Sequence, residues 1–210
     1  MRTTNDILIK GVKLETILRN HMHWLFCDIT GWETMRADLS GADLSEAVLF
    51  GVNLYGADLS GADLSKANLY NANLQYVDLF RADLHEADLR KANLRDANLF
   101  SANLQDVDLS FAQLYRANLR DADLAFVNLQ DAGLSGADLY GTDLSSAVNI
   151  PYIPMVCPEE GSFTGWKKVG TKIIKLEIPS KAKRSSATSR KCRCEYAKVL
   201  GIFELDGKPS

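Results

Sequence analysis

Leucine recurs at every fifth position from Leu39 to Leu144 without interruption, which makes 22 consecutive units. Two residues before each leucine stands Ala in 17 units, Val in four (Val52, Val77, Val107 and Val127) and Thr142 in one. The residue immediately before the leucine is Asp in 11 units and Asn in 8, with Val48, Gln113 and Gly133 as the departures. The two residues after each leucine vary. Apolar and polar positions therefore alternate in blocks of five, with two apolar positions, one small and one large, in nearly every block.

A period of five fits neither a helix nor a flat strand. Along a helix the leucines would spiral around the axis, and along a strand they would switch faces. A chain that turns a corner every five residues avoids both outcomes, because each leucine and each small residue can point into one central column. Four corners close a square coil of 20 residues, so the 22 units predict about 5.5 coils. At the roughly 4.8 Å separation of neighbouring backbones the tower would be on the order of 26 Å long. The predicted core includes Leu39, Leu44, Leu59, Leu94, Leu124 and Leu144, with Ala57, Ala92, Val107 and Val127 in the small layer. The narrow square explains the small layer, since larger groups would overpack it.

Units such as Ala57-Asp58-Leu59-Ser60-Gly61 and Ala92-Asn93-Leu94-Arg95-Asp96 resemble the pentapeptide-repeat family. The resemblance covers about half of the chain. It implies an all-β solenoid, the right-handed quadrilateral β-helix, and it is far more specific for fold than for function.

Stacking at intervals of 20 turns the variable residues into ladders. Phe80, Phe100, Arg120 and Tyr140 form one, while Lys66 stands under Glu86 and Asp96 under Arg116. Two readings stay open for such ladders. They can be solvated faces that support the stack, or the aromatic and arginine ladder can be a docking stripe, since those residue types are enriched at interfaces. The Asp and Asn before each leucine also have two readings. Short polar side chains satisfy nearby backbone groups at corners. Some pentapeptide-repeat proteins are DNA mimics that bind DNA gyrase, so the resemblance also implies a topoisomerase as a partner class.

The repeat is flanked by different material, which predicts three regions: an N-terminal helical cap at 1–36, the β-helix at 37–147 and a small β-rich domain at 148–210. Residues 12–26 carry Val12, Leu14, Ile17, Leu18, Met22, Leu25 and Phe26 at approximate helical spacing. His21 and His23 stand two apart on that helix and point about 200° from each other, so they are read as cap residues and not as a metal pair. After Ala147 the repeat ends. Strands are expected at Phe163–Trp166, Ile174–Ile178 and Ala197–Phe203. Cys157-Pro158-Glu159-Glu160-Gly161-Ser162-Phe163 and Arg190-Lys191-Cys192-Arg193-Cys194 resemble a domain of unknown function that follows pentapeptide repeats in bacterial and phage proteins.

Charge separates the regions further. Residues 1–150 hold 12 Lys+Arg and 21 Asp+Glu, whereas residues 151–210 hold 12 and 6, so a net −9 precedes a net +6. Lys183, Arg184, Arg190, Lys191 and Arg193 form a basic cluster whose open readings are a solvated loop, a phosphate or nucleic-acid contact, and a surface that docks on an acidic face. Cys192 and Cys194 lack the spacing of a zinc pair. No nucleophile–base arrangement, G-x-G-x-x-G or phosphate-binding loop occurs, so neither a catalytic residue nor a cofactor or metal is assigned. No apolar run approaches the roughly 20 residues of a spanning helix, and the polar start of the chain places it in the cytoplasm. The resulting expectation is a non-enzymatic scaffold or adaptor with an unknown protein partner, as a monomer or an end-to-end homodimer. The alternatives are a DNA-mimicking topoisomerase ligand and nucleic-acid binding by the basic C-terminal module.

Overall fold

The corner is the unit from which the tower is built. The leucine carbonyl accepts the N–H of the small residue three positions on, as from Ala42 to Leu39 at 3.1 Å. The third residue of that turn then needs a positive φ, which ordinarily selects glycine. All 21 corners from Gly41 to Gly141 have this φ, yet only six use glycine. The other 15 place residues such as Lys66, Tyr76 and Phe111 there, with φ between 52° and 61°. Each costs on the order of 1 kcal/mol.

The Asp or Asn before each leucine offsets this cost. In all 19 such units the side-chain Oδ1 accepts the N–H two residues on, at 2.9–3.3 Å. The bond holds the chain as it enters the left-handed position. Of the two readings of these residues, local backbone satisfaction is therefore realised at every one of them.

The structure, a computed structural model, describes residues 1–151, 163–169, 172–179, 184–185, 193–194 and 198–204. Parallel bridges join residues 20 apart, beginning with Asp38 to Asp58 and running to Asn128 and Val148. Each is a pair of backbone hydrogen bonds, such as Leu39 N–H to Asp58 O at 2.7 Å and Asp58 N–H to Ala37 O at 3.0 Å. Of the 22 leucines, all but Leu139 are buried. Thr142, the one hydroxyl in the small layer, is buried and donates to the Leu139 carbonyl at 2.7 Å. Asparagines add a side-chain ladder between coils, with Asn98 Nδ2 on Asp78 at 2.9 Å and Asn118 Nδ2 on Asn98 at 3.0 Å.

The departure at Gly133 has a local cause. A Cβ there would lie 2.8 Å from Cζ of Tyr115, one coil earlier. The tyrosine ring occupies the space where other units place Asp or Asn.

The residues ahead of the tower form a hairpin, β1 (Leu8–Ile9) and β2 (Val12–Lys13), followed by α1 (Leu14–Phe26) and a 3-10 turn (Trp32–Thr34). The helix thus begins two residues later than its hydrophobic spacing predicts, because Val12 and Lys13 are held as a strand and Leu14 N–H bonds the Ile7 carbonyl at 2.9 Å. Ile7 and Leu14 are fully buried, and Ile17 and Leu18 pack against the tower's core. Arg2 extends the first coil by pairing in parallel with Ala47.

His21 joins helix to tower. It is fully buried, stacks on Trp24 at 5.3 Å and accepts the Ala37 N–H through Nδ1 at 3.1 Å. Its Nε2 makes no hydrogen bond. Burial holds its pKa below the ordinary value; the Tyr55 carbonyl opposes that shift and the positive charge of Arg36 reinforces it.

Beyond the tower, β3 (Phe163–Val169), β4 (Lys172–Ile178) and β7 (Lys198–Glu204) form an antiparallel sheet in the order β3-β4-β7. A second pair, β5 (Arg184–Ser185) and β6 (Arg193–Cys194), is also antiparallel. All three expected strands are present, each displaced or extended by a few residues. Ile174 and Leu176 are half-buried, but so are Lys175 and Glu177 between them. Lys175 reaches Asp143 of the tower at 3.6 Å.

Candidate interaction surface

Outward chemistry differs among the four sides because the residue before each leucine lies at the middle of a side and the two after it lie at a corner. On the second side that middle row reads Asp43, Asp63, Asp83, Asn103, Asp123 and Asp143. On the opposite, fourth side it reads Asn53, Asn73, Asn93, Gln113 and Gly133. The square therefore has an acidic side facing away from an uncharged amide side.

The ladder of Phe80, Phe100, Arg120 and Tyr140 lies on the corner after the first side. Phe80 and Phe100 stack at 5.8 Å with ring planes 14° apart, and both are half-buried. Arg81 covers the Phe80 ring at 4.9 Å. Arg120 lies over Tyr140 at 4.8 Å and also reaches Asp138 at 3.5 Å. The two charge rungs are present as well, with Lys66 and Glu86 at 3.8 Å and Asp96 and Arg116 at 3.1 Å. Asp96 is shared, since Arg95 approaches it at 3.5 Å.

A further stack on the corner after the third side was not singled out from the sequence. Phe50 stacks on Tyr70 at 5.5 Å, and both Arg90 and Lys91 lie over Tyr70 at 5.4 Å. The same interval of 20 marks Phe50, Tyr70 and Arg90, so this signal was in the sequence. Arg90 also grips Asp88 with two bonds of 2.8 and 2.7 Å, which holds the Asp88 pKa below the ordinary carboxylate value. Asp38 and Asp43 are likewise lowered, chiefly through the hydroxyls of Ser40 and Ser45.

His21 and His23 are not brought together. His23 faces Asp28 at 2.8 Å, while His21 is committed to Ala37. No group of three potential metal-ligating residues occurs among the described residues. Of the basic cluster, Arg184 pairs with Cys194 and Arg193 with Ser185 in the short ladder. Lys183, Arg190 and Lys191 lie outside the described residues, as do Cys157 and Cys192. No described helix is long and apolar enough to cross a membrane.

Comparison with known proteins agrees with this geometry. Pentapeptide repeats match in eight copies across residues 36–65, 47–85, 78–110 and 108–145, and a family of unknown function (DUF5758) matches residues 153–210. The chain belongs to the pentapeptide repeat family, and its repeats stack as a parallel β-helix of 20-residue coils. Among solved structures it is similar to the pentapeptide repeat protein Rfr23 from the cyanobacterium Cyanothece 51142. That match has 40% identity over 43% of this chain and 63% of that one, with a TM-score of 0.43. The chain thus spans less than two thirds of Rfr23. A pentapeptide repeat protein from Nostoc PCC 7120 is 34% identical over 59% of this chain and 91% of its own, with a TM-score of 0.41. QnrB1, a plasmid-mediated fluoroquinolone resistance protein, is 21% identical over 55% and 72%, with a TM-score of 0.37. No curated protein matches the chain.

Proposed function

We propose that this protein is a non-enzymatic interaction scaffold. Its tower of about 5.5 coils at residues 37–147 is covered at its start by residues 1–36 and carries a separate basic β-rich unit at 148–210. The observation that carries the reading is the division of labour within each repeat. Leucine, the small residue and the Asp or Asn build the coil by themselves, which leaves the outward pairs free to vary. Such a surface presents recognition groups at fixed heights and on fixed sides, without the ordering cost that flexible segments meet on binding. The ladder of Phe80, Phe100, Arg120 and Tyr140 is one docking stripe of this scaffold. The exposed apolar side chains of Val199, Leu200 and Ile202 give the C-terminal unit a contact surface of its own.

Affinity capture from lysate tests this. Full-length protein is expected to retain a partner that the Phe100→Ser, Arg120→Glu double variant loses while its thermal unfolding stays within a few degrees of wild type. Identical retained sets from the two proteins would overturn the stripe.

The acidic second side supports a second reading, a DNA-mimicking ligand of a type II topoisomerase, because regularly spaced carboxylates present a field that basic clefts attract. That reading expects inhibition of gyrase supercoiling by the full chain and its loss on Asp63→Lys with Asp83→Lys. Inhibition that survives the reversal would reject it.

A further inference from the structure

The fourth side combines three features found together on no other side. Its middle row lacks carboxylates and offers the amides of Asn53, Asn73 and Asn93, all half-buried, followed by exposed Gln113. Along one of its corners run Phe50, Tyr70, Lys91 and Phe111; along the other run Tyr55, Tyr76, Arg95 and Tyr115. Tyr55 and Tyr76 meet edge to face at 5.3 Å, and Phe50, Tyr76, Phe111 and Tyr115 are 40–62% exposed. Of the two carboxylates on these corners, Asp96 is enclosed between Arg95 and Arg116, with its side chain only 13% exposed, and Arg116 keeps 72% of its own exposure. From Phe50 to Arg116 the corners therefore carry Lys91 and one guanidinium in excess, ahead of the exposed second carboxylate, Asp131, on a tower whose residues 37–147 hold 17 Asp+Glu against 7 Lys+Arg.

We infer that the fourth side is a docking surface for an extended acidic segment of a partner protein. A segment laid along the tower axis directs successive side chains to alternate flanks, so carboxylates and apolar groups meet Lys91, Arg95 and the aromatic rings at the two corners. Backbone C=O groups of the segment face the amide row, which offers chiefly Nδ2 donors and the Gln113 amide, because the Oδ1 atoms of Asn53, Asn73 and Asn93 already accept N–H groups of their own corners. The excess of ten negative charges on the tower weighs against any continuous polyanion, so the segment carries separate carboxylates that meet Lys91, Arg95 and Arg116, with apolar groups between them. The rings weigh the same way, because Phe50 already stacks on Tyr70 and Tyr55 meets Tyr76 edge to face, so neither pair leaves a slot between its rings for a base. The inference rests on the scaffold reading but on a different side from the Phe80 to Tyr140 stripe, so either surface can fail without the other.

The test uses the full chain and a fluorescein-labelled ten-residue peptide that alternates glutamate with leucine. Fluorescence anisotropy is expected to show binding that weakens at least fivefold in Lys91→Glu with Arg95→Glu, and by a similar factor in Tyr76→Ser. Asp63→Asn, on the opposite side, should leave it unchanged. Circular dichroism and thermal unfolding verify that each variant folds, and Tyr76→Ser serves if the charge reversal does not. No binding overturns the inference. Binding that survives both variants places the peptide on the basic C-terminal residues and also overturns it, as does a twelve-residue oligothymidine that binds more tightly than the peptide.

Discussion

Replacing Leu94 by alanine is expected to destabilise the protein by about 2–5 kcal/mol, as truncation of a fully buried leucine does when the site cannot collapse around the cavity. Leu94 is 0% exposed, and its coil is tied above and below by hydrogen bonds from Leu74 N–H to Asn93 O and from Leu94 N–H to Gln113 O, each 2.8 Å. Those ladders keep the walls at fixed separation, so collapse is limited. Leu94→Asp should be more severe, since it buries a charge without a partner. Chemical denaturation followed by circular dichroism measures both. A loss below about 1 kcal/mol for the alanine variant would show that the column relaxes in a way close-packed interiors do not.

The second large effect is expected at His21. His21→Ala removes the acceptor of the buried Ala37 N–H, which costs about 1–3 kcal/mol for the orphaned group alone. It also removes the ring stacked on Trp24. The wild-type contact carries its own pH dependence. Because the folded pKa lies below 6.5, the unfolded chain takes up a proton first as pH falls. The stabilisation is complete above about pH 6.5, where imidazole is neutral in both states, and declines as pH drops through that value toward the folded pKa. Unfolding midpoints at pH 7.5 and 5.5 should separate more in wild type than in His21→Gln, whose amide oxygen can still accept from Ala37. His23 and His85 are present in both proteins, so the difference reports His21. Equal separation would show that His21 takes up its proton as readily in the folded protein as in the unfolded chain, and would reject this linkage.

These two positions mark what sequence can and cannot convey. Leu94 and Ala92 were legible because a strict period leaves one geometry in which every leucine turns inward. The 19 side-chain to backbone bonds were legible for the same reason, since Asp and Asn occupy the same place in each unit. His21 was readable only as an ordinary residue of an amphipathic helix. Its bond to Ala37, 16 residues on, depends on how the helix meets the first coil, and no period connects the two. The hairpin that displaces the start of α1 was missed because Val12 and Lys13 fit a helical spacing and a strand equally well. Among outward residues the interval of 20 predicted the Lys66 and Glu86 rung and the contact of Phe80 with Phe100. The fourth side emerged only when all four middle rows were compared.

The bridge interval of 20 residues also governs how such a molecule can change length. Inserting one five-residue unit into the tower leaves every leucine facing inward, so the column survives. All outward residues beyond the insertion, however, rotate by a quarter turn relative to those before it. With the insertion placed after Asp88, Asp123 and Asp143 would leave the line of Asp43, Asp63 and Asp83 and continue the row of Asn68 and Asp88 instead. An insertion of four units restores the alignment and adds one coil. Short duplications in such a gene thus reshuffle surfaces at little cost to folding, while whole-coil duplications lengthen a surface that already works.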